Sequence, residues 1–242
     1  VKICDRNFIG CDQLIFIEPD SSADANLKFF NSDGGESGAC GNGTRCVANL
    51  ISNEKNNKSI ILNTLSGKLK SEILEKKIVT TEIGKAKLKW DEIPLSKEMD
   101  TKNLNIKIID TNNNEHLGGT AINVGNPHIV FFVKKIEDFN IEKIGPEIEN
   151  HEIFPEKCNV TIAQIFNKNL IKVKVWERGA GLTKACGTAA CATAYAGKLN
   201  NLTENKTDIE FATGKLSISI DENDSIHMKG PVSNIKEINI KL

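Results

Sequence analysis

The stretch CGNGTRCVANL, residues 40–50, is answered 146 positions later by CGTAACATAYA, residues 186–196. Each opens on a Cys-Gly pair and runs on into small and apolar residues that read as a helix. The glycine-rich stretch 34–43, which contains Cys40, opens the first helix, expected over about residues 45–53. The second follows Gly179-Ala180-Gly181, and its helix is expected to run to about Lys198. Two copies of one unusual motif in a single chain are what an internal duplication leaves behind, so two similar halves are expected.

The surroundings of each copy support that division. Short β-like runs bounded by Gly and Asn cover residues 14–17, 27–31, 59–64, 68–73 and 78–83. The second copy is flanked by runs at 128–133, 160–166 and 170–176, with a helical segment at 141–150 and strands expected over 208–242. The fold class is therefore α/β of the α+β kind. The expected halves are residues 1–86 together with 232–242, and residues 87–231.

Composition narrows the function. With 242 residues and 39% hydrophobic content, the chain can bury substantial cores. Lys and Arg number 31 against 32 Asp and Glu, a formal charge of −1, so no global field recruits nucleic acid or an anionic membrane. A small molecule is the expected partner. No apolar run approaches the roughly 20 residues of a membrane-crossing helix. The opening VKICDRNFIG lacks the basic flank and apolar stretch of a signal peptide, so a cytoplasmic location is expected. Seven cysteines is an odd and sparse set, which reads as reduced thiols rather than a disulfide framework.

Cys40 and Cys186 stand at helix starts, where unpaired N–H groups and the positive end of the macrodipole favour a thiolate. Such a sulfur can act as a base, and the same N–H groups can hold a carboxylate. Inverting a carbon stereocentre needs one group on each face, each about 3–3.5 Å from the reacting carbon, so the pair would stand about 6–7 Å apart. The competing reading for any single cysteine is a small buried hydrophobe, and Cys4, Cys11, Cys46, Cys158 and Cys191 keep it. No metal is expected. On a helix Cys191 lies about 140° round from Cys186, and Cys46 about 240° from Cys40, so neither pair converges on an ion.

Beside the cysteines, Glu177 and Arg178 end an apolar run, where Arg178 can grip a carboxylate in two-pronged fashion and Glu177 an ammonium. A surface ion pair is the plain alternative. Asn126 and His128 sit at a turn, and Gln13, Asn31 and Asn159 read by themselves as ordinary turn or edge residues.

Taken as a set, GCDQ (10–13), Asn31, CGNGTRC (40–46), GNPH (125–128), Asn159, ERGAG (177–181) and ACGT (185–188) resemble the diaminopimelate epimerase family over almost the whole chain. The resemblance implies two pseudo-symmetric halves, each a β-barrel-like sheet wrapped around a central helix, with the active site in the cleft between them. It implies interconversion of LL- and meso-diaminopimelate for lysine and peptidoglycan synthesis, without pyridoxal phosphate or another cofactor, by a homodimer. Cys40 and Cys186 match the catalytic positions, with His128 and Glu177 in support. Gln13, Asn31, Gly41, Asn42, Asn126, Asn159, Glu177, Arg178, Gly187 and Thr188 match substrate-binding positions. Three departures stand out. No G-N-D-F-type segment precedes GCDQ, so about the first 30 residues of the pattern are missing; Leu182 replaces a usual Glu; and Ala189 replaces a usual Gly. Proline and hydroxyproline racemases and epimerases share the paired cysteines but carry His at the position of Asn42. A non-catalytic protein that keeps the cleft is the rival from outside enzymes.

Overall fold

The computed structural model describes residues 1–5, 7–11, 13–38 and 40–240, leaving aside the side chains of Ser37 and Lys76. Asp12 of the GCDQ motif lies outside them. The chain divides into two units, Val1–Glu82 with Lys229–Leu242, and Ile83–Met228.

In the first unit β1 (Gln13–Glu18) pairs antiparallel with β2 (Ala25–Asn31), and the short β3 (Glu36–Ser37) folds back on β2. Helix α1 (Gly41–Lys55) then crosses to β4 (Ser59–Thr64), which lies parallel to β2. β5 (Gly67–Ile73) and β6 (Ile78–Lys85) add antiparallel, giving the order β1-β2-β4-β5-β6. Val47, Ala48 and Ile51 recur at helical spacing and bury against Leu27, Phe29, Ile60, Leu62 and Val79 of the sheet. That stripe is what fixes α1 on its sheet.

The second unit carries a separate hairpin of β7 (Ile106–Ile109) and β8 (Glu115–Gly118). Then come β9 (Thr120–Asn123), β10 (Pro127–Val133), α2 (Ile141–Glu149), β11 (Asn159–Asn167), β12 (Leu170–Glu177), β13 (Gly181–Thr183) and α3 (Gly187–Leu199). β14 (Lys206–Phe211), β15 (Gly214–Ile220) and β16 (Ser225–Pro231) complete a sheet of order β16-β15-β14-β12-β11-β10-β9. Alternate residues of β10 feed different cores: Val130 packs on the α3 side, Ile129 and Phe131 on the α2 side. α3 is buried nearly all round, from Ala189 to Gly197, which is why its sequence is Ala, Cys, Thr and Gly with little charge.

The motif echo extends to topology. β1-β2-β3-α1-β4-β5 and β11-β12-β13-α3-β14-β15 follow the same plan. Each has an antiparallel pair, a short strand folded back on it, a Cys-capped helix, a parallel return strand and a hairpin. Two expectations change. α1 begins at Gly41 rather than about residue 45, because Cys40 itself caps it. Strand structure stops at Pro231 instead of continuing towards residue 242: proline has no N–H to donate, and the next N–H, of Val232, is spent on Lys77 O at 3.0 Å. Among the described residues no helix is long and apolar enough to cross a membrane.

Candidate active site

Cys40 is the N-cap of α1, with φ −142° and ψ 102°, and Cys186 is the N-cap of α3, with φ −137° and ψ 119°. The two backbones turn into their helices in nearly the same way, which gives the sequence echo a geometric meaning. Gly43 N donates to Cys40 Sγ at 3.2 Å, and Thr44 Oγ1 donates to Cys40 O at 2.8 Å. A Cβ on Gly43 would come within 2.5 Å of the Ile15 side chain and 3.2 Å of Cys40 Sγ, so only glycine leaves the sulfur its place.

Around Cys40 the first unit gathers Gly41 and Asn42 in the opening turn of α1, while Gln13 Nε2 donates to Asn31 Oδ1 at 3.0 Å across the β1–β2 pair. Arg45, which sequence reasoning passed over, is buried and donates from Nη2 to Asn42 Oδ1 at 2.8 Å and from Nη1 to Gly41 O at 3.4 Å. It therefore locks the Asn42 side chain. The signal was the i,i+3 spacing of the two residues.

Cys186 is 5% exposed, with Thr188 Oγ1 3.4 Å from its sulfur. Its thiol is pushed well above the ordinary range by burial first and by the Glu177 carboxylate second, against weaker help from Thr188 and the Ala189 N–H. The helix start favours a thiolate, and at Cys186 burial opposes it. A helix terminus acts on the sulfur from its first turn alone, whereas full burial strips the thiolate of its solvation altogether. Desolvation wins, and the resting form is the protonated thiol.

The remaining predicted residues of the second unit form one connected cluster. His128 and Asn159 are cross-strand neighbours on β10 and β11. Asn159 is buried with both ends of its amide engaged, Nδ2 donating to Pro127 O at 2.9 Å and Oδ1 accepting from Arg178 N at 3.0 Å. Arg178 Nη1 donates to Glu156 O at 2.8 Å. His128 is wholly buried, its Nε2 2.8 Å from Asn126 Oδ1 and its Nδ1 without a hydrogen-bond partner among the described residues. Burial, with the Arg178 charge adding to it, drives its pKa from 6.5 down to about 3, so the imidazole is neutral. With Oδ1 as acceptor, the proton belongs on Nε2. A second residue missed from sequence, Glu149, holds the turn that carries Glu177 and Arg178. Gly187 and Thr188 form the first turn of α3.

The arrangement defines a class: a two-unit α/β fold in which each unit presents a helix capped by a cysteine. A hydroxyproline epimerase from Agrobacterium vitis, solved with bound trans-4-hydroxy-L-proline, has this fold, with a TM-score of 0.66 at 13% identity over 92% of this chain and 73% of that one. A Bacillus anthracis protein of the phenazine biosynthesis PhzF family has it too, with a TM-score of 0.65 at 13% identity over 97% and 86%. At the level of sequence, the family profile described as diaminopimelate epimerase matches residues 2–89 and 120–235. The diaminopimelate epimerase of Pelagibacter ubique (strain HTCC1062) is 68% identical over 242 residues, covering 100% of this chain and 88% of that protein. The diaminopimelate epimerase of Sphingopyxis alaskensis is 42% identical over 230 residues, covering 95% and 82%. The chain belongs to the diaminopimelate epimerase family and is an enzyme of the isomerase class.

Proposed function

We propose that this enzyme interconverts LL- and meso-diaminopimelate by moving protons between Cα and two cysteines, without pyridoxal phosphate. The observation that carries the reading is the pair of cysteines capping two helices with matched backbone turns, in a chain 68% identical to a named epimerase. The protonated Cys186 is the acid in the resting enzyme. Cys40, whose sulfur accepts the Gly43 N–H at a helix start, is the base, because such donation favours the anionic sulfur. Cys40 takes the Cα proton while Cys186 delivers its own to the opposite face. The turnover ends with the roles exchanged, ready for the reverse reaction.

The N–H groups of Gly41, Asn42, Gly187 and Thr188 hold the α-carboxylate, since helix starts bind anions. Gln13, Asn31, Asn126, Asn159 and Arg178 position the rest of the substrate, Glu177 meets its ammonium, and His128 with Glu177 sets the environment of the cysteines. The protein acts as a homodimer in the cytoplasm, supplying lysine and peptidoglycan synthesis. The test is incubation with LL-diaminopimelate in D₂O under reducing conditions, with L-proline in parallel, following the Cα–H signal by NMR. Exchange into diaminopimelate alone is expected. Exchange into proline alone would move the chain to the racemase branch, and exchange into neither would favour a binding role.

A further inference from the structure

The Glu177-Arg178 turn is held by a residue outside the family motif set. Glu149 ends α2 and is only 6% exposed. A carboxylate there is placed against its own electrostatics, at the negative end of a helix dipole and out of water. What it gains is two N–H donors from one neighbouring element. Trp176 Nε1 donates to its Oε2 at 2.7 Å, and Gly179 N donates to its Oε1 at 3.0 Å. Trp176 and Gly179 bracket Glu177 and Arg178 on either side.

The rest of the corner leaves this clamp no slack. Ala180 N closes the turn onto Glu177 O at 3.0 Å, with Gly179 at φ +73°. The indole of Trp176 lies so close to α2 that a Cβ on Gly145 would stand 2.3 Å from its Cγ. With Arg178 N on Asn159 and Arg178 Nη1 on Glu156 O, the turn's outward N–H groups are taken up by fixed acceptors. The Glu177 carboxylate, carried on this turn, acts on the Cys186 thiol by charge and by hydrogen bonding.

We infer that Glu149 is a positioning residue for the reaction: by gripping Trp176 and Gly179 together it keeps Glu177 against Cys186. The inference rests on the reading of Cys186 as the reacting acid, but its test does not depend on turnover. The measurement is the rate of Cys186 alkylation by iodoacetamide against pH, read by peptide mass spectrometry on the full chain. Four proteins are compared: the parent, Glu149→Gln, Glu177→Gln and the double variant. In Glu149→Gln the amide NH₂ faces the indole N–H donor to donor, so the grip on one side is lost and Glu177 recedes. The Cys186 profile then shifts to lower pH, by about half a unit or more given what one nearby charge does to a titrating group. In the Glu177→Gln background the same substitution produces no further shift, since the charge that Glu149 positions is already gone.

An unshifted profile in Glu149→Gln, or an equal shift with and without Glu177, overturns the inference, the latter marking mere loosening of the fold. Should Glu149→Gln fail to fold, Trp176→Phe deletes the indole N–H together with the part of the ring that carries it, and is read with and without Glu177→Gln so that loosened packing on α2 is told apart. It is expected to move the profile in the same direction by less, and an unmoved profile there counts equally against the role. Survival of epimerisation in Cys186→Ala would sink the two-cysteine reading instead, and leaves the alkylation result standing by itself.

Discussion

Lowering the pH from about 7.5 to about 5 should destabilise the second unit through one residue. His128 is wholly buried and neutral, with a pKa of about 3 against an unperturbed 6.5. Its Nε2 is spent on Asn126 and its Nδ1 has no partner among the described residues, so a proton added at Nδ1 would create a buried N–H that none of them accepts. Because the folded pKa is depressed, the unfolded chain binds the proton first as pH falls. The stabilising contribution is therefore whole above about 6.5 and declines from there down to about 3. At about 1.4 kcal/mol per unit, the loss between 6.5 and 5 is about 2 kcal/mol. Urea unfolding followed by indole fluorescence reads this directly, because both tryptophans, Trp90 and Trp176, lie in the second unit. His128→Gln keeps an N–H donor for Asn126 and removes the titration, so its stability should fall about 2 kcal/mol less over the same pH interval. Parallel pH dependences in parent and variant would refute the buried neutral imidazole.

Two further outcomes follow from packing and from thiol proximity. Gly145→Ala gains about 1 kcal/mol of helix propensity but drives a methyl into the Trp176 ring. Overpacking of about 1–3 kcal/mol or more should prevail, so a raised urea midpoint would contradict the contact. Cys4 Sγ and Cys11 Sγ lie 3.3 Å apart. Hydrogen peroxide should join them, the two thiols giving up two electrons and two protons as the peroxide becomes water. Peptide mapping without reductant that finds both still alkylatable after oxidation would count against the pairing.

Much of the frame was readable in the residues because it rests on local periodicity. The alternation in β12, with Ile171, Val173 and Val175 buried between outward lysines, marks a half-buried strand without knowledge of its neighbours. The two Cys-Gly motifs found their helices for the same reason. The start of α1 is not legible to within a turn because its cap is a cysteine, and its first turn holds two glycines and an asparagine, which by propensity argue against helix. The charge state of Cys186 was not readable. The helix-start argument is local, whereas burial comes from core residues that range from Ile122 to Met228, and the Glu177 charge is set by how the β12–β13 turn folds. Glu149 was hidden likewise: nothing in Ile148-Glu149-Asn150 says that the carboxylate turns inward to meet Trp176 and Gly179.

The central claim is that two cysteines, one from each unit, move the proton. Its most direct test is conversion of LL-diaminopimelate to the meso form by Cys40→Ala and by Cys186→Ala, each checked for folding. Both variants should lose inversion, since either change leaves one face of Cα without a proton carrier. Near-parental turnover by either one would contradict the account.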